Sequence, residues 1–363
     1  MDNYKQWAAA GDDRAISLTG NWREYPPIAV TNALLIICTL GIYRFWASAR
    51  QRRYLWSRTH VIDDPLEWTG TGKEMFFGFL LVTAFLLPFF LFIQFAFPAL
   101  VARGMEQAAM GLFLLFYVGL IFLGGFARFR ALRYRLSRSW WRGIRGGSHD
   151  PGWNFAGEFL GRHALSAMTM FIMLPWAVTR LWNSRWNQMS FGDLRFRSNL
   201  DAKGLKRRWA AVYLVPIGLL LVLGLAAFLA VGGGGRTAED ARLGIFGMAF
   251  LLVALIYLAI PLLTLHWFAK FYRKAADATR LGDLEFGFDA TSWDWLKLFL
   301  GNIALAVVTL GLGISYWGYR NWAFMIRHSE IYGEINVAAL SQSTTSAPGE
   351  AEGFADAFDL GAF

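Results

Sequence analysis

TLGIYRFWASARQRRYLWSR, residues 39–58, joins the end of an apolar run to a cluster of aromatic and basic side chains, with arginine at 44, 50, 52, 53 and 58. Trp and Tyr favour the membrane–water interface, and Lys/Arg favour the cytoplasmic side of it. The stretch therefore reads as a helix end planted at a membrane surface. Variants of the same junction recur along the chain, and the fold is read outward from them.

Four apolar runs, near 75–100, 109–127, 209–231 and 245–268, approach or exceed the roughly 20 residues that cross a hydrocarbon core about 30 Å thick. They form two pairs with short connectors. The first connector, near 102–107, carries one Arg and one Glu, and the second, 232–242, carries two Arg, one Glu and one Asp. Outside the pairs the balance changes: six Lys/Arg fall in 44–74, seven in 128–150, eight in 180–208 and four in 270–290. This asymmetry predicts two transmembrane hairpins that enter and leave from the cytoplasm, with both termini and the basic loops on that side. Composition agrees. Apolar residues make up 56% of the 363 and charged residues 17%, against about 45–50% and about 25% in soluble domains. Residues 1–27 show no basic segment followed by an apolar one, so no cleavable signal peptide is expected. A single cysteine, Cys38, excludes an intrachain disulfide and a cysteine zinc cluster.

Three further apolar stretches, 28–46, 155–179 and 296–318, are each flanked by arginine on the C-terminal side, and 155–179 lies between two basic regions. A single crossing by 155–179 would put one basic region outside. A helix that enters and returns on one side removes the conflict, since broken backbone at membrane depth is tolerated where protein buries it. Seven ordinary crossings with a local breach of the charge rule are the plain alternative. Internal similarity groups the three. Trp153, Phe159-Leu160-Gly161, Thr169, Arg180 and Trp182 recur 140 residues later as Trp293, Phe299-Leu300-Gly301, Thr309, Arg320 and Trp322, while Thr39, Trp46 and Arg50 match Thr169, Trp176 and Arg180. The expected architecture is an all-α polytopic membrane protein with small cytoplasmic β-hairpin elements. Pseudo-repeats of a re-entrant or interfacial helix unit, near 22–58, 152–186 and 292–326, would alternate with transmembrane hairpins near 75–127 and 209–268. Gly41, Gly311 and Pro175 are the expected break points. Gly192-Asp193-Leu194-Arg195-Phe196 and its echo at 282–286 read as hairpin strands, with relatives at 63–68 and 333–335. Thr71 with Glu74 and Thr291 with Asp294 have capping-box spacing.

The end of the chain departs from this pattern. Residues 1–340 form the expected membrane domain, and 341–363 a flexible acidic tail. Phe354, Phe358, Leu360 and Phe363 with four carboxylates make its end a candidate docking peptide.

Asn32, the run Thr39 to Tyr43, Trp46, Arg50 and Arg52-Arg53-Tyr54, followed by Pro65-Leu66-Glu67-Trp68-Thr69-Gly70-Thr71-Gly72, resemble the YjgN family of bacterial inner-membrane proteins. The resemblance covers most of the chain. It implies a multi-pass protein of the bacterial inner membrane, built on a domain of unknown function, and it carries no catalytic residue. The middle unit departs from the motif, with Phe171 where the others have Gly41 and Gly311, and Arg162 where they have Asn32 and Asn302.

HExxH, GxxxxGK[ST] and GxSxG motifs are missing from the sequence, and neither metal nor cofactor is expected. The five histidines lack close ligand partners in sequence. The loudest signal is FARFRALRYRLSRSWWRGIR, 126–145, with seven arginines among aromatics. Directly after a membrane span, such a run suits anionic lipid headgroups better than nucleic acid. Arg130, Arg133, Arg135 and Arg138, with Arg50, Arg52 and Arg53, are the candidate lipid-binding residues. Glu158 and Arg162, four apart on a helix, and the repeat-related Asn32 and Asn302 are the candidates for a polar path. The expected function is binding rather than catalysis: a scaffold or adaptor whose basic face contacts anionic phospholipids and an unidentified membrane or cytoplasmic partner. A homo-oligomer is also open. A transporter or channel with a path between the units is the alternative, favoured if a polar cavity crosses the membrane.

Overall fold

The computed structural model describes residues 15–232, 238–335 and 340–345. The expected docking peptide at 353–363 and residues 233–237 of the 232–242 connector lie outside the described residues. The chain runs β1 (Ile16–Leu18), α1 (Pro26–Cys38), α2 (Arg44–Ser57), β2 (Thr59–Val61), β3 (Asp64–Pro65), β4 (Glu67–Trp68), α3 (Gly72–Leu91), a π-helical turn (Phe92–Ala96), α4 (Phe97–Ala102) and α5 (Glu106–Arg138). Then come β5 (Ser139–Trp141), β6 (Ile144–Gly147), α6 (Trp153–Met168), α7 (Leu174–Trp186), β7 (Ser190–Phe191), β8 (Leu194–Ser198), α8 (Leu205–Gly232) and α9 (Ala238–Asp277). Last are β9 (Thr279–Leu281), β10 (Leu284–Phe288), α10 (Ser292–Val308), a 3-10 turn (Leu312–Tyr316), α11 (Trp317–His328) and β11 (Ser329–Tyr332).

Among the described residues, four helical stretches are long and apolar enough to cross a membrane: Gly72–Ala102, Glu106–Arg138, Leu205–Ala226 and Phe246–Asp277. The first is one helix interrupted by the π turn. Pro98 has no N–H to meet the carbonyl of Gln94, so the ladder slips there by one residue. The Glu106–Arg138 helix has 33 residues, about 50 Å at 1.5 Å per residue, against a core about 30 Å thick. It must project well past the bilayer, and its last three turns are the arginine-rich run.

The β elements are more extensive than small separate hairpins. β4 to β11 form one eight-stranded antiparallel sheet in sequence order, and β1, β2 and β3 form a three-stranded sheet. Leu66 alone separates β3 from β4, and β1 lies beside β11. The result is a belt bent into a half-barrel. Isolated hairpins are marginal in water, and pairing edge to edge satisfies their free backbone groups. The β5–β6 hairpin was not anticipated, and the last strand lies at 329–332, ahead of Gly333 rather than on it.

The connections follow one rule. Each helical hairpin is inserted between two strands that pair with each other: Leu18 with Thr59 around α1–α2, Trp68 with Ser139 around α3–α5, Gly147 with Ser190 around α6–α7, Ser198 with Thr279 around α8–α9, and Phe288 with Ser329 around α10–α11. In an antiparallel pair the end of one strand adjoins the start of the next. All five helical hairpins therefore leave and rejoin one edge of the belt, and the tight turns at 62–63, 142–143, 192–193 and 282–283 line the other edge. Around this edge the neighbours touch in order, α2 with α3, α5 with α6, α7 with α8 and α9 with α10. The third short hairpin closes on the first, through α1 against the 3-10 turn and α2 against α11. Trp56 stacks on Trp322 at 4.2 Å, Trp322 donates to the Thr59 hydroxyl at 2.8 Å, and Tyr25 stacks on Tyr319.

The three short hairpins share one turn. Leu40 and Gly41 have φ of 51° and 92°, Met170 and Phe171 of 50° and 63°, Leu310 and Gly311 of 50° and 91°. Before each, a threonine hydroxyl donates to the carbonyl four residues back (Thr39 to Leu35 at 2.7 Å, Thr169 to Leu165 at 3.0 Å, Thr309 to Leu305 at 2.6 Å) and accepts from the N–H four residues on. Gly41 and Gly311 break their helices as expected. In the middle unit the break falls at Met170-Phe171, with Pro175 in the first turn of the helix that follows. Phe171 has a side chain in the left-handed region, which costs about 1–2 kcal/mol. Here α8 offsets that cost: Trp209 donates to the Phe171 carbonyl at 2.8 Å, and the Tyr213 hydroxyl to that of Met170 at 2.7 Å.

Candidate functional site

The arginine-rich end of α5 is wrapped by belt and hairpins, so several of its cations serve the fold. Arg130 donates to the Pro151 carbonyl at 2.8 Å and Arg133 to that of Asp150 at 3.1 Å, fixing the chain that leads into α6. Arg138 pairs with Glu74 at 3.0 Å, and Glu74 also accepts from the Tyr134 hydroxyl at 2.8 Å. Only half of the Thr71–Glu74 capping box forms, because the Glu74 carboxylate is turned to α5. Arg133 and Arg52 are buried, and the Arg52 guanidinium lies over the Trp68 ring. Arg135 is half-buried beside them, while Arg50 and Arg53 are exposed. Exposed cations that sequence reasoning had not singled out stand where helices leave the belt: Lys73 at the start of α3, Lys203, Lys206 and Arg207 around the start of α8, and Lys297 and Arg327 on the third hairpin. Their signal was available, since each lies within about two turns of an apolar run.

The four polar-path candidates are not joined. Asn32 and Asn302 are both buried in their own hairpins, where Asn32 donates to the Ala47 carbonyl at 3.5 Å and Asn302 to the Asn321 side chain at 2.9 Å. In each the amide oxygen has no hydrogen-bond partner among the described residues. Trp317 also donates to the Asn302 carbonyl at 3.0 Å. Glu158 and Arg162 pair with each other at 3.3 Å on α6, with Arg162 over the Trp176 ring.

A groove of about 940 Å³ lies between α1 and the α10–α11 hairpin. Its belt end presents Lys297, Arg327, His328 and Asp294, and its far end Leu305, Thr309 and Leu312. Asp294 is the closing residue of a complete capping box: Thr291 donates to its carboxylate from both N–H and hydroxyl, which holds Asp294 below the usual carboxylate range. His328 is held by Asp289 at 2.5 Å. Arg320 reaches from α11 to α10 across Gly301, where a side chain would collide with the guanidinium. The groove was not foreseen, although Arg320 shares its repeat position with Arg180 and Arg50.

Residues 341–345 lie on the belt. Ser341 donates to Asp193 at 3.3 Å, Gln342 to the Gly143 carbonyl at 2.7 Å, and Arg145 donates to the Thr345 carbonyl. Ser343 and Thr345 are buried.

Four spanning helices rising from one edge of a β belt, with three interrupted short hairpins between them, define a multi-pass membrane protein. The chain belongs to the bacterial family of unknown function DUF898, whose model matches residues 14–357. It is similar to the inner membrane protein YjgN of Escherichia coli K12, 32% identical over 126 residues, and to that of Salmonella typhimurium, 34% identical over 70 residues. These matches cover 35% and 19% of this chain, and 29% and 18% of those relatives, so the chain matches less than a third of their length. No solved structure matches it. The protein is placed by these relatives and by its four spans in the bacterial inner membrane.

Proposed function

We propose that the protein is a scaffold or adaptor of the inner membrane, with the belt in the cytoplasm and its helix-bearing edge against anionic lipid. The observation that carries this reading is the connection rule: every helical hairpin, and with it every basic junction, returns to the same edge of the belt. The short hairpins then dip into one leaflet and come back. α1, α6 and α10 have 13, 16 and 17 residues, about 20–26 Å, short of a full crossing. Their tips are apolar and bare, with Leu40 and Leu310 each 94% exposed. The three units and two spanning hairpins form one membrane domain of repeated construction, and the belt offers a broad surface to a partner protein.

Two experiments test this. Single cysteines at Asp63, Asp193 and Asp283, with Cys38 replaced, should resist an impermeant thiol reagent applied from outside, while one at Gly104 reacts. Outside labelling at the belt turns overturns the placement. Replacing Arg53, Lys206 and Arg207 with Gln should lower the share of anionic phospholipid that co-purifies, at about 1 kcal/mol for each cation near such a surface. An unchanged lipid profile overturns lipid contact at that edge. A second reading, transport, draws on the buried amide oxygens of Asn32 and Asn302. It predicts solute flux in liposomes that falls on replacing either with Leu.

A further inference from the structure

We infer that the groove between α1 and the α10–α11 hairpin is a binding site for one anionic phospholipid, phosphate at the belt end and acyl chain toward the tips. The inference rests on the membrane placement proposed above. Depth along the groove can be read from α10, which starts at the belt beside Thr291 and ends at the tip beside Thr309. Lys297 stands within two turns of the belt, and Arg327 is in the last turn of α11. Arg320 lies deeper, at the level of Gly301. Among the described residues the carboxylate lining this end is Asp294, which is engaged by its own cap and by Lys297 at 3.8 Å, while Asp289 is engaged by His328. Lys297 and, deeper, Arg320 outnumber the Asp294 carboxylate along the groove, which suits a phosphate.

Beyond Arg320 the wall is mostly apolar, with Leu305 and Leu312 beside Thr309. A free phosphate would have no use for that end. A phospholipid standing in its leaflet has the same polarity as the groove. Trp22 lines the groove and Trp293 lies under the Lys297 ammonium, both 60% exposed, and interfacial tryptophans sit at headgroup level. The volume of about 940 Å³ is at the upper end of the roughly 300–1,000 Å³ of ligand sites. Gly301 has a specific part here: it is the gap through which Arg320 crosses to α10.

The test uses the full chain in phosphatidylcholine nanodiscs doped with phosphatidylglycerol whose acyl chain carries a photoreactive diazirine. A phosphatidylcholine probe with the same chain is the comparison. Cross-links mapped by mass spectrometry should concentrate in α10, residues 309–313 and α1 with the anionic probe. Lys297→Gln and Arg320→Gln should each lower labelling there about fivefold, the equivalent of about 1 kcal/mol per cation, and leave labelling of α8 unchanged. Lys297 is exposed on the surface, so its variant keeps the test valid if Arg320→Gln folds poorly. Labelling equal for the two headgroups, or indifferent to Lys297→Gln, overturns the inference. A failed membrane placement shows instead in the cysteine map, so the two failures are distinguishable.

Discussion

Gly41 and Gly311 are the residues on which two of the short hairpins turn. Their φ values of 92° and 91° suit glycine, and a Cβ at either would meet nothing within 4 Å. The cost of Gly41→Ala or Gly311→Ala is therefore backbone strain alone, about 1 kcal/mol, to be read as a lowered unfolding midpoint in detergent. Phe171 occupies the same position and bears the strain because Trp209 and Tyr213 hold the carbonyls of its turn. Tyr213→Phe should cost about 0.5–1.5 kcal/mol, and Phe171→Gly should recover part of it. A further residue-level expectation concerns pH. Asp294 is held below the ordinary carboxylate range by Thr291. A depressed folded value means the contribution is complete above the unfolded value, about 3.9, and is lost as pH falls through the folded one. Thr291→Ala removes the cap, at about 1 kcal/mol, and should flatten that acid dependence.

At the scale of the element, the short hairpins and the spanning pairs differ in length and in what their ends touch. No more than 11% of each span's apolar window is buried in the protein, and the short hairpins carry bare apolar tips at Leu40 and Leu310. Leu310→Asp puts a carboxylate at a tip that is 94% exposed. In a bilayer this should cost up to about 3 kcal/mol, so the melting temperature in liposomes should fall while a detergent-solubilised sample changes little. An equal effect in both would place the tip outside the hydrocarbon. The long α5 shows the converse. Its arginines look like a lipid-binding run in sequence, yet Arg130, Arg133 and Arg138 are taken up by Pro151, Asp150 and Glu74. Helix length explains this: a 33-residue helix outruns the bilayer and carries its basic end into the belt.

For the whole molecule, the closing contact between first and third hairpins unites the two ends of the belt, β1 and β11. Trp322→Ala removes the stack on Trp56 and the bond to Thr59. A loss of about 3 kcal/mol is expected, seen as a lower unfolding midpoint and faster proteolysis near β1 and β11. If the midpoint holds, the chain is secured elsewhere and the ends merely lie together.

Sequence alone determined the four spans, the three interrupted units with their breaks at Gly41 and Gly311, the capping box at Thr291, and the membrane class. These are local signals: apolar run length, the freedom of glycine at positive φ, and cap spacing act within a few residues. It did not reveal that the β pieces join into one belt, because strand pairing joins residues such as Trp68 and Ser139 across an entire helical hairpin. Nor could it sort the arginines. Arg52 is buried and Arg53 exposed although they are adjacent, since burial depends on which flank of α2 meets the belt. The groove with Lys297, Arg320 and Arg327 exists only because the third hairpin closes against the first, so tertiary structure alone brought those cations to one end of it.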